Sequence, residues 1–466
     1  MSGRRRSVGT LFWGLTLLTL GALLLARNLG FTIPIWSALV RYWPVLIIVW
    51  GLLKLVDYYR LKGDPDRRTM FSGGEVVMLV LVVLVGSAMT AAANISPSIG
   101  RLFNLQADFD FWDITGSTYT YSEHHELAAA SGSSLNVFNL YGTVDIRPSD
   151  SDKIVLDVEK TVRAANKEEA DGMSRDFTFS IKQDGGGYRI VSNRDESFAG
   201  QPDVPIGNQR QRFKSSLTIK LPHQTSVNVN NKYGPVSVTG LEGPETISNK
   251  YGPTSIRNVS GSITMTTGYG SVIGENVTGA VTISNRYAST TLRNIGGNVD
   301  VDSQFGSVDL KDVKGNATIQ NRYSVINVQR VAGSVSIQGR NNSVDVDEVG
   351  GTLEANNSYK NVSVRNAKGV LKLSNRHGDI NIELAQPPIH EITINGDYSD
   401  VTLELPAGSA FTLDGQTRYG QIESEFDAIS INSSGRDRSA HGQVGRGEPK
   451  IVVQTQHGNI RVEKRG

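Results

Sequence analysis

An interval of 18 residues organises most of this chain. The tetrad Asn231-Lys232-Tyr233-Gly234 returns as Asn249-Lys250-Tyr251-Gly252. It continues, degenerating, through Tyr269, Tyr287, Phe305, Tyr323, Asn341, Tyr359 and His377, eight equal steps with no insertion. Later copies at Tyr398, Tyr419 and His457 follow steps of 21, 21 and 38, and an isolated early copy sits at Tyr141-Gly142. Ten residues after each aromatic position stands a glycine, from Gly243 and Gly261 through to Gly351 and Gly369. Glycine at one fixed phase marks a corner, with positive φ or a close backbone approach. Three and five residues after the aromatic the side chains are mostly β-branched or leucine, as at Val236 and Val238 or Val308 and Leu310. A second such pair follows at twelve and fourteen, as at Ile263 and Met265.

Alternation with period two means strands with one face buried. Each unit therefore holds at least two short strands separated by a glycine corner. At about 3.3 Å per residue, one unit is roughly 60 Å of extended backbone, enough for one turn around a narrow core. A single unit cannot bury its own apolar face, but stacked units can. The expected fold is an all-β solenoid, a single-stranded parallel β-helix of 18-residue coils. Propeller blades need about 40 residues or more, and leucine-rich repeats need leucines at a spacing absent here.

Equal coils place like residues above one another. The aromatic column becomes a stack of rings, each pair adding about 0.5–1.5 kcal/mol beyond burial. Asn231, Asn249, Asn285, Asn321, Asn357 and Asn375 form a ladder suited to satisfying backbone groups at the turns. Lys232, Lys250, Arg286, Arg322, Arg340, Arg376 and Arg418 share the position before the aromatic. Two readings of this basic column stand open. One is a set of solvated corner residues whose stems lie over the rings. The other is a linear surface for an anionic wall polymer, lipopolysaccharide or acidic glycan.

The first hundred residues differ. Val8 to Ala26 and Val76 to Ile95 are uncharged runs of 19 and 20 residues, each close to the length of a membrane span. Between them, Ile33 to Val56 is apolar apart from Arg41 and Lys54, and is read as a third span or an interfacial segment. The predicted organisation is an anchor at 1–96 with spans near 8–27, 33–56 and 75–95. A linker at 97–134, a β cap at 135–230 and the repeat array at 231–466 follow. Arg4, Arg5 and Arg6 precede the first span, and Lys54, Arg60, Lys62, Arg67 and Arg68 lie around the connector between the second and third. The positive-inside rule then puts the N-terminus and that connector in the cytoplasm and everything after Ile95 outside. This implies a multi-pass protein of the bacterial cytoplasmic membrane with an extracytoplasmic C-terminal domain. Ser87 to Ala93 resembles a cleavage site, so release of the C-terminal region there is the alternative.

Within 135–230, Asn166 to Arg175 suits a short helix, and Arg194 to Arg212 reads as a mobile loop. Ser433 to Pro449 reads as an exposed insertion loop, and Arg446 to Gly466 as the last coil.

Two resemblances follow from these residues. Leu11-Phe12-Trp13-Gly14, Asn28-Leu29-Gly30 and Tyr42-Trp43-Pro44 resemble the transmembrane module of the LiaI/LiaF-like bacterial family. That likeness implies a role in the response to cell-envelope stress. Asn139-Leu140-Tyr141-Gly142-Thr143-Val144-Asp145-Ile146, Ile219-Lys220-Leu221-Pro222 and the repeated Asn-x-Tyr-Gly units resemble the bacterial adhesin-like β-strand-repeat family. That family is also described as the auto-transporter adhesin head (GIN) domain. It implies a single-chain β-helix and brings no catalytic residues.

Lysine and arginine number 47 against 46 acidic residues, which gives no reason to expect nucleic acid as a partner. There is no cysteine, so disulfides, thiolate metal sites and cysteine nucleophiles are excluded. Glycan-processing enzymes use similar solenoids and need clustered carboxyl groups. The nearest candidates are Asp300, Asp302, Asp309 and Asp312, with Asp345, Asp347 and Glu348 two coils on. Most occupy the polar phase of strands, where solvated acids are expected. No cofactor or metal motif occurs. The favoured reading is a membrane-anchored, non-catalytic binding, adhesin-like or envelope-stress-sensing module, with the bilayer, an envelope polymer or a membrane signalling protein as partners. An envelope polysaccharide-processing enzyme and a self-associating structural surface protein are the alternatives.

Overall fold

The computed structural model describes residues 18, 47–53, 80, 83, 117–164, 166–196 and 212–465. The three expected spans lie outside these residues except for isolated positions and a helical segment at 47–53. Among the described residues no helix is long and apolar enough to cross a membrane. Most of the expected loop 194–212 also lies outside them. The chain divides into two compact units, Met1–Ser117 with Ala164–Asn166, and Thr118–Arg163 with Lys167–Gly466. The second unit is a β solenoid with, among its described residues, one helix, Lys167–Arg175.

Parallel pairing at a constant offset builds the stack. Glu245–Asn249 pairs with Ile263–Thr267, and Thr254–Val259 with Val272–Val277, each residue opposite the one 18 further on. Each coil thus supplies two ladders. The alternating residues turn inward: Ile263, Met265, Val272 and Val277 are buried, as are Val299, Val301, Val308, Leu310 and Val313 two coils later. All belong to one continuous apolar core that runs the length of the stack. Because the side-chain period is two, a slip of one residue would turn every one of these outward, so the register is strongly specified.

The glycine column works by close approach. A Cβ on Gly261 would overlap the carbonyl oxygen of Gly243 directly below, and one on Gly279 that of Gly261. Positive φ occurs instead three residues earlier. Gly240, Asn258, Asn276, Asn294, Asp312, Arg330, Glu348 and Asn366 take φ between 53° and 75°. Asparagine and aspartate tolerate this left-handed conformation best after glycine. Arg330 and Glu348 are held there by the coils above and below.

The ends of the stack depart from chain order. Ser134–Tyr141 pairs with Ser226–Tyr233 on one side and Gly187–Ser192 on the other. Val144–Ser149 likewise lies between Val236–Thr239 and Phe213–Pro222. At the far end Lys450–Thr455 inserts between Ile392–Gly396 and Phe411–Thr417. Ile460–Arg465 sits between Val401–Pro406 and Ile422–Ser424. The C-terminal residues therefore form the next-to-last coil, not the last. The segment expected to be a loop at 433–449 contains the strand Asp437–Val444, which pairs antiparallel with Phe411–Thr417 and with Ile429–Ser434. It covers the open edge that a terminal coil otherwise presents. Lys153–Ala164 covers Phe213–Pro222 in the same antiparallel way at the other end.

Candidate functional site

The tetrad Asn-x-Tyr-Gly makes one corner of every regular coil. Its asparagine points inward and is buried at Asn231, Asn249, Asn285, Asn321, Asn357 and Asn375. Asn249 Nδ2 donates to the carbonyl of Gly252 at 2.9 Å and to that of Gly234 in the coil below at 3.1 Å. Asn231 and Asn375 make the equivalent bonds to Gly234 and Gly378, at 2.9 and 2.8 Å. The side chains also bond to one another, Asn139 to Asn231 at 3.0 Å and Asn231 to Asn249 at 3.2 Å. The ladder so closes the corner that buried carbonyls would otherwise leave unpaired.

Two coils carry glycine where the ladder needs a polar side chain, at Gly339 and Gly396. In each, the residue three positions on supplies it. Asn342 Nδ2 donates to the Asn321 carbonyl at 2.6 Å, and Ser399 Oγ to the Asn375 carbonyl at 3.0 Å. Both are fully buried.

Outside the ladder the rings stack nearly parallel. Tyr141, Tyr233, Tyr251, Tyr269, Tyr287, Phe305 and Tyr323 follow at centroid separations of 4.6–5.3 Å. Asn341 interrupts the series. It resumes as Tyr359, His377, Tyr398, His457 and Tyr419, in that spatial order. Their faces are turned to each other, so the rings show edges and hydroxyls to solvent. Burial, then the neighbouring Tyr141 and Tyr251, pushes the Tyr233 hydroxyl far above its ordinary value.

The basic residues lie beside this stack on the same corner. Lys232 and Lys250 are half-buried, with ammonium groups 5.9 and 5.6 Å from the centres of the Tyr233 and Tyr251 rings. Arg286, Arg322 and Arg340 are exposed. Arg376 is exposed and faces Asp397 at 3.7 Å. Arg418 lies 5.5 Å from the Tyr419 ring and 3.9 Å from Asp437. Gly268, Gln304 and Ser358 occupy the intervening coils. Neighbouring cations one coil apart, at about 4.8 Å, repel by about 0.9 kcal/mol in water, and two coils apart by half that before salt screening. The interruptions keep the column tolerable without erasing it.

The candidate carboxylates divide between two ladders, Asp300 and Asp302 on that of Val299–Ser303 and the others on that of Val308–Val313, and four of them, Asp309, Asp312, Asp345 and Asp347, are paired up and down the stack. Asp312 meets Arg330 at 2.6 Å, and this guanidinium holds its carboxyl below the usual range. Asp309 accepts from Asn327 at 2.6 Å, Asp345 meets Arg365 at 2.7 Å, and Asp347 accepts from Asn366 at 3.0 Å. His377 and His457 belong to the ring stack. His124 Nδ1 contacts Asp157 at 2.7 Å and its Nε2 contacts Glu126 at 3.3 Å on an exposed strand, and these two carboxylates raise the imidazole above its ordinary value. Among the described residues no group of three or more acidic or histidine side chains is arranged to hold a metal.

Two features escaped the sequence reading. Glu245 stands in an apolar column between Val227 and Ile263, 1% exposed, and neither carboxylate oxygen has a partner. Burial pushes it up to about 8. The signal was its phase, two residues before the inward Ile247. The second is a polar cleft of about 600 Å³ where the end coils meet the capping hairpin.

The profile of the Toastrack DUF4097 family matches residues 135–463. The chain belongs to that family. Its solenoid, with the corner ladder and ring stack, is the matched region. Residues 12–105 match the LiaF transmembrane domain, which associates this Toastrack protein with a membrane. Two solved structures are similar. One is provisionally described as a cell adhesion protein from Clostridium sporogenes, at 11% identity over 75% of this chain and 100% of that one, with a TM-score of 0.17. The other is provisionally described as an adhesin from Bacteroides fragilis, at 11% identity over 73% and 97%, with the same TM-score of 0.17. Scores so low carry no statement about fold or function. Among curated proteins, none matches.

Proposed function

We propose that this protein is a membrane-tethered, non-catalytic sensing or binding module of the bacterial envelope. Its residues 1–96 form a three-span anchor, 97–116 a linker and 117–466 an extracytoplasmic β domain; the linker expected over 97–134 is shortened because Ser117–Ala128 is a strand paired with Lys153–Ala164. The working surface is the corner that carries Lys232, Lys250, Arg286, Arg322, Arg340, Arg376 and Arg418. Its ligand is an anionic envelope polymer, and the anchor relays occupancy to a membrane signalling partner. The observation that carries the reading is the repetition of cations along the ring-bearing corner of a regular scaffold, half-buried at Lys232 and Lys250 and exposed at the five arginines. A linear polyanion can be met along such a corner at many points, and weak contacts then add. The match of 12–105 to the LiaF transmembrane domain supports the membrane setting. The pairing of Asp309, Asp312, Asp345 and Asp347 supports a role without catalysis, because these carboxylates are engaged with neighbours rather than poised for proton transfer.

The test uses the full chain in lipid nanodiscs with poly(glycerol phosphate) as the probe. Replacing Arg286, Arg322 and Arg340 by glutamine is expected to weaken binding at least about tenfold, and to flatten its salt dependence. Equal binding by both proteins, with the same salt slope, refutes the assignment of the corner.

A further inference from the structure

The cleft at the C-terminal end of the stack is built, not incidental. Its floor is three successive coils in parallel register, which place Asn395, Gln454 and Gln416 side by side. Its wall is the antiparallel hairpin of Ile429–Ser434 and Asp437–Val444, which contributes Asn432, Ser433 and Arg438. The cleft between them is open on one side, with a volume of about 600 Å³.

The lining is chemically uniform. It presents side-chain amides and hydroxyls, with two guanidinium groups against one carboxylate. Among the described residues, none exchanges a hydrogen bond with the side-chain amides of Asn395, Asn432 or Gln454. Arg438 is held by the carbonyls of Gly435 and Asp437, at 3.1 and 3.3 Å. Planar amides offer a donor and an acceptor side by side, which matches adjacent sugar hydroxyls. A guanidinium fork matches a carboxylate. The floor amides recur at the coil spacing of about 4.8 Å, so successive sugar units meet successive amides. No apolar recess is present to take a peptide side chain. The backbone edge of Phe411–Thr417 is already paired, so an added strand finds no place on it.

We infer that this cleft binds an acidic oligosaccharide, with the amides on its hydroxyls and Arg438 on a carboxylate. The site is independent of the polymer corner except for Arg418, which borders both, so the test leaves Arg418 untouched. The full chain in detergent micelles is titrated calorimetrically with tetragalacturonic acid. Three further proteins are compared: Asn395→Ala with Gln454→Ala, Arg438→Gln alone, and Arg286→Gln with Arg322→Gln. All the altered residues except Arg438 are exposed, and Arg438→Gln checks the result should the double alanine protein lose its cap. Binding that falls at least about tenfold in both cleft variants and stays within about twofold in the corner variant supports the site. The absence of binding to the unaltered chain at about 10 mM overturns it. So does loss only in the corner variant. Equal binding of uncharged chitotetraose overturns the assignment of an acidic sugar.

Discussion

Replacing Glu245 by valine extends the apolar column that runs from Val227 to Ile263, and the gain should depend on pH in a way that can be worked out. The carboxyl is 1% exposed and without a partner, and burial pushes it up to about 8 from an ordinary 4.5. Below pH 4.5 it is protonated in both the folded and unfolded chain and costs nothing in charge. Between 4.5 and 8 the unfolded chain gives up the proton while the folded chain keeps it. Folded stability therefore falls as pH rises through this window, at about 1.36 kcal/mol per pH unit. At pH 7 the 2.5 units above 4.5 correspond to about 3 kcal/mol, and the loss levels off above pH 8. The assay is hydrogen exchange at the amides of 245–249 and 263–267, corrected for the intrinsic rate, which reports opening of these coils. The difference in opening free energy between Glu245→Val and the unaltered chain should grow by about 3 kcal/mol from pH 4.5 to 7. Glu245→Gln, polar but non-titrating, should share the flat profile of the valine variant. A difference that does not change with pH would refute the reasoning.

Three other outcomes follow from the same structure. Asn249→Ala removes the side-chain donor from the Gly252 carbonyl, while Gly234 keeps that of Asn231, and should cost about 1–3 kcal/mol, seen as faster exchange in those coils alone. Gly261→Val places side-chain atoms into the backbone of Gly243, so the coils must part; the protein should be recovered unfolded or cleaved there in limited proteolysis. Removing 450–465 withdraws a coil from between two others, and 411–444 should become protease-sensitive along with it while Tyr233 to Tyr359 stays protected. Survival of 411–444 would mean that it docks directly on 392–406.

The regular part of the rod was legible because its coils are equal in length. Tyr233 to His377 fixes the register without any structural knowledge, and the Val236–Val238 and Ile263–Met265 pairs fix which face is buried. The corner chemistry was legible too, since Asn249 and Tyr251 recur together. The ends were not. Spacings of 21 and 38 after Tyr398 do not say whether Tyr419 or His457 stacks next, because a long connection closes at little extra entropic cost. The hairpin strand Asp437–Val444 buries only Ala440, so it carries no apolar alternation to announce it. The left-handed column is visible in Asn258, Asn276 and Asn294 but hidden at Arg330 and Glu348, where tertiary contacts override local preference.

Chain order and spatial order disagree at both ends of the rod, and this bears on assembly. Segment 411–444 cannot reach its final neighbours until 450–465 has threaded into position beneath it. A growing or translocating chain can lay down Tyr233 to Tyr398 coil by coil, but it must hold the cap in waiting. The seam closes in a single late event, and a product that stops short of that segment is left with a raw strand edge. An unpaired strand edge is a template for pairing with another chain, so the back-stitched end separates finished rods from truncated ones by their tendency to associate.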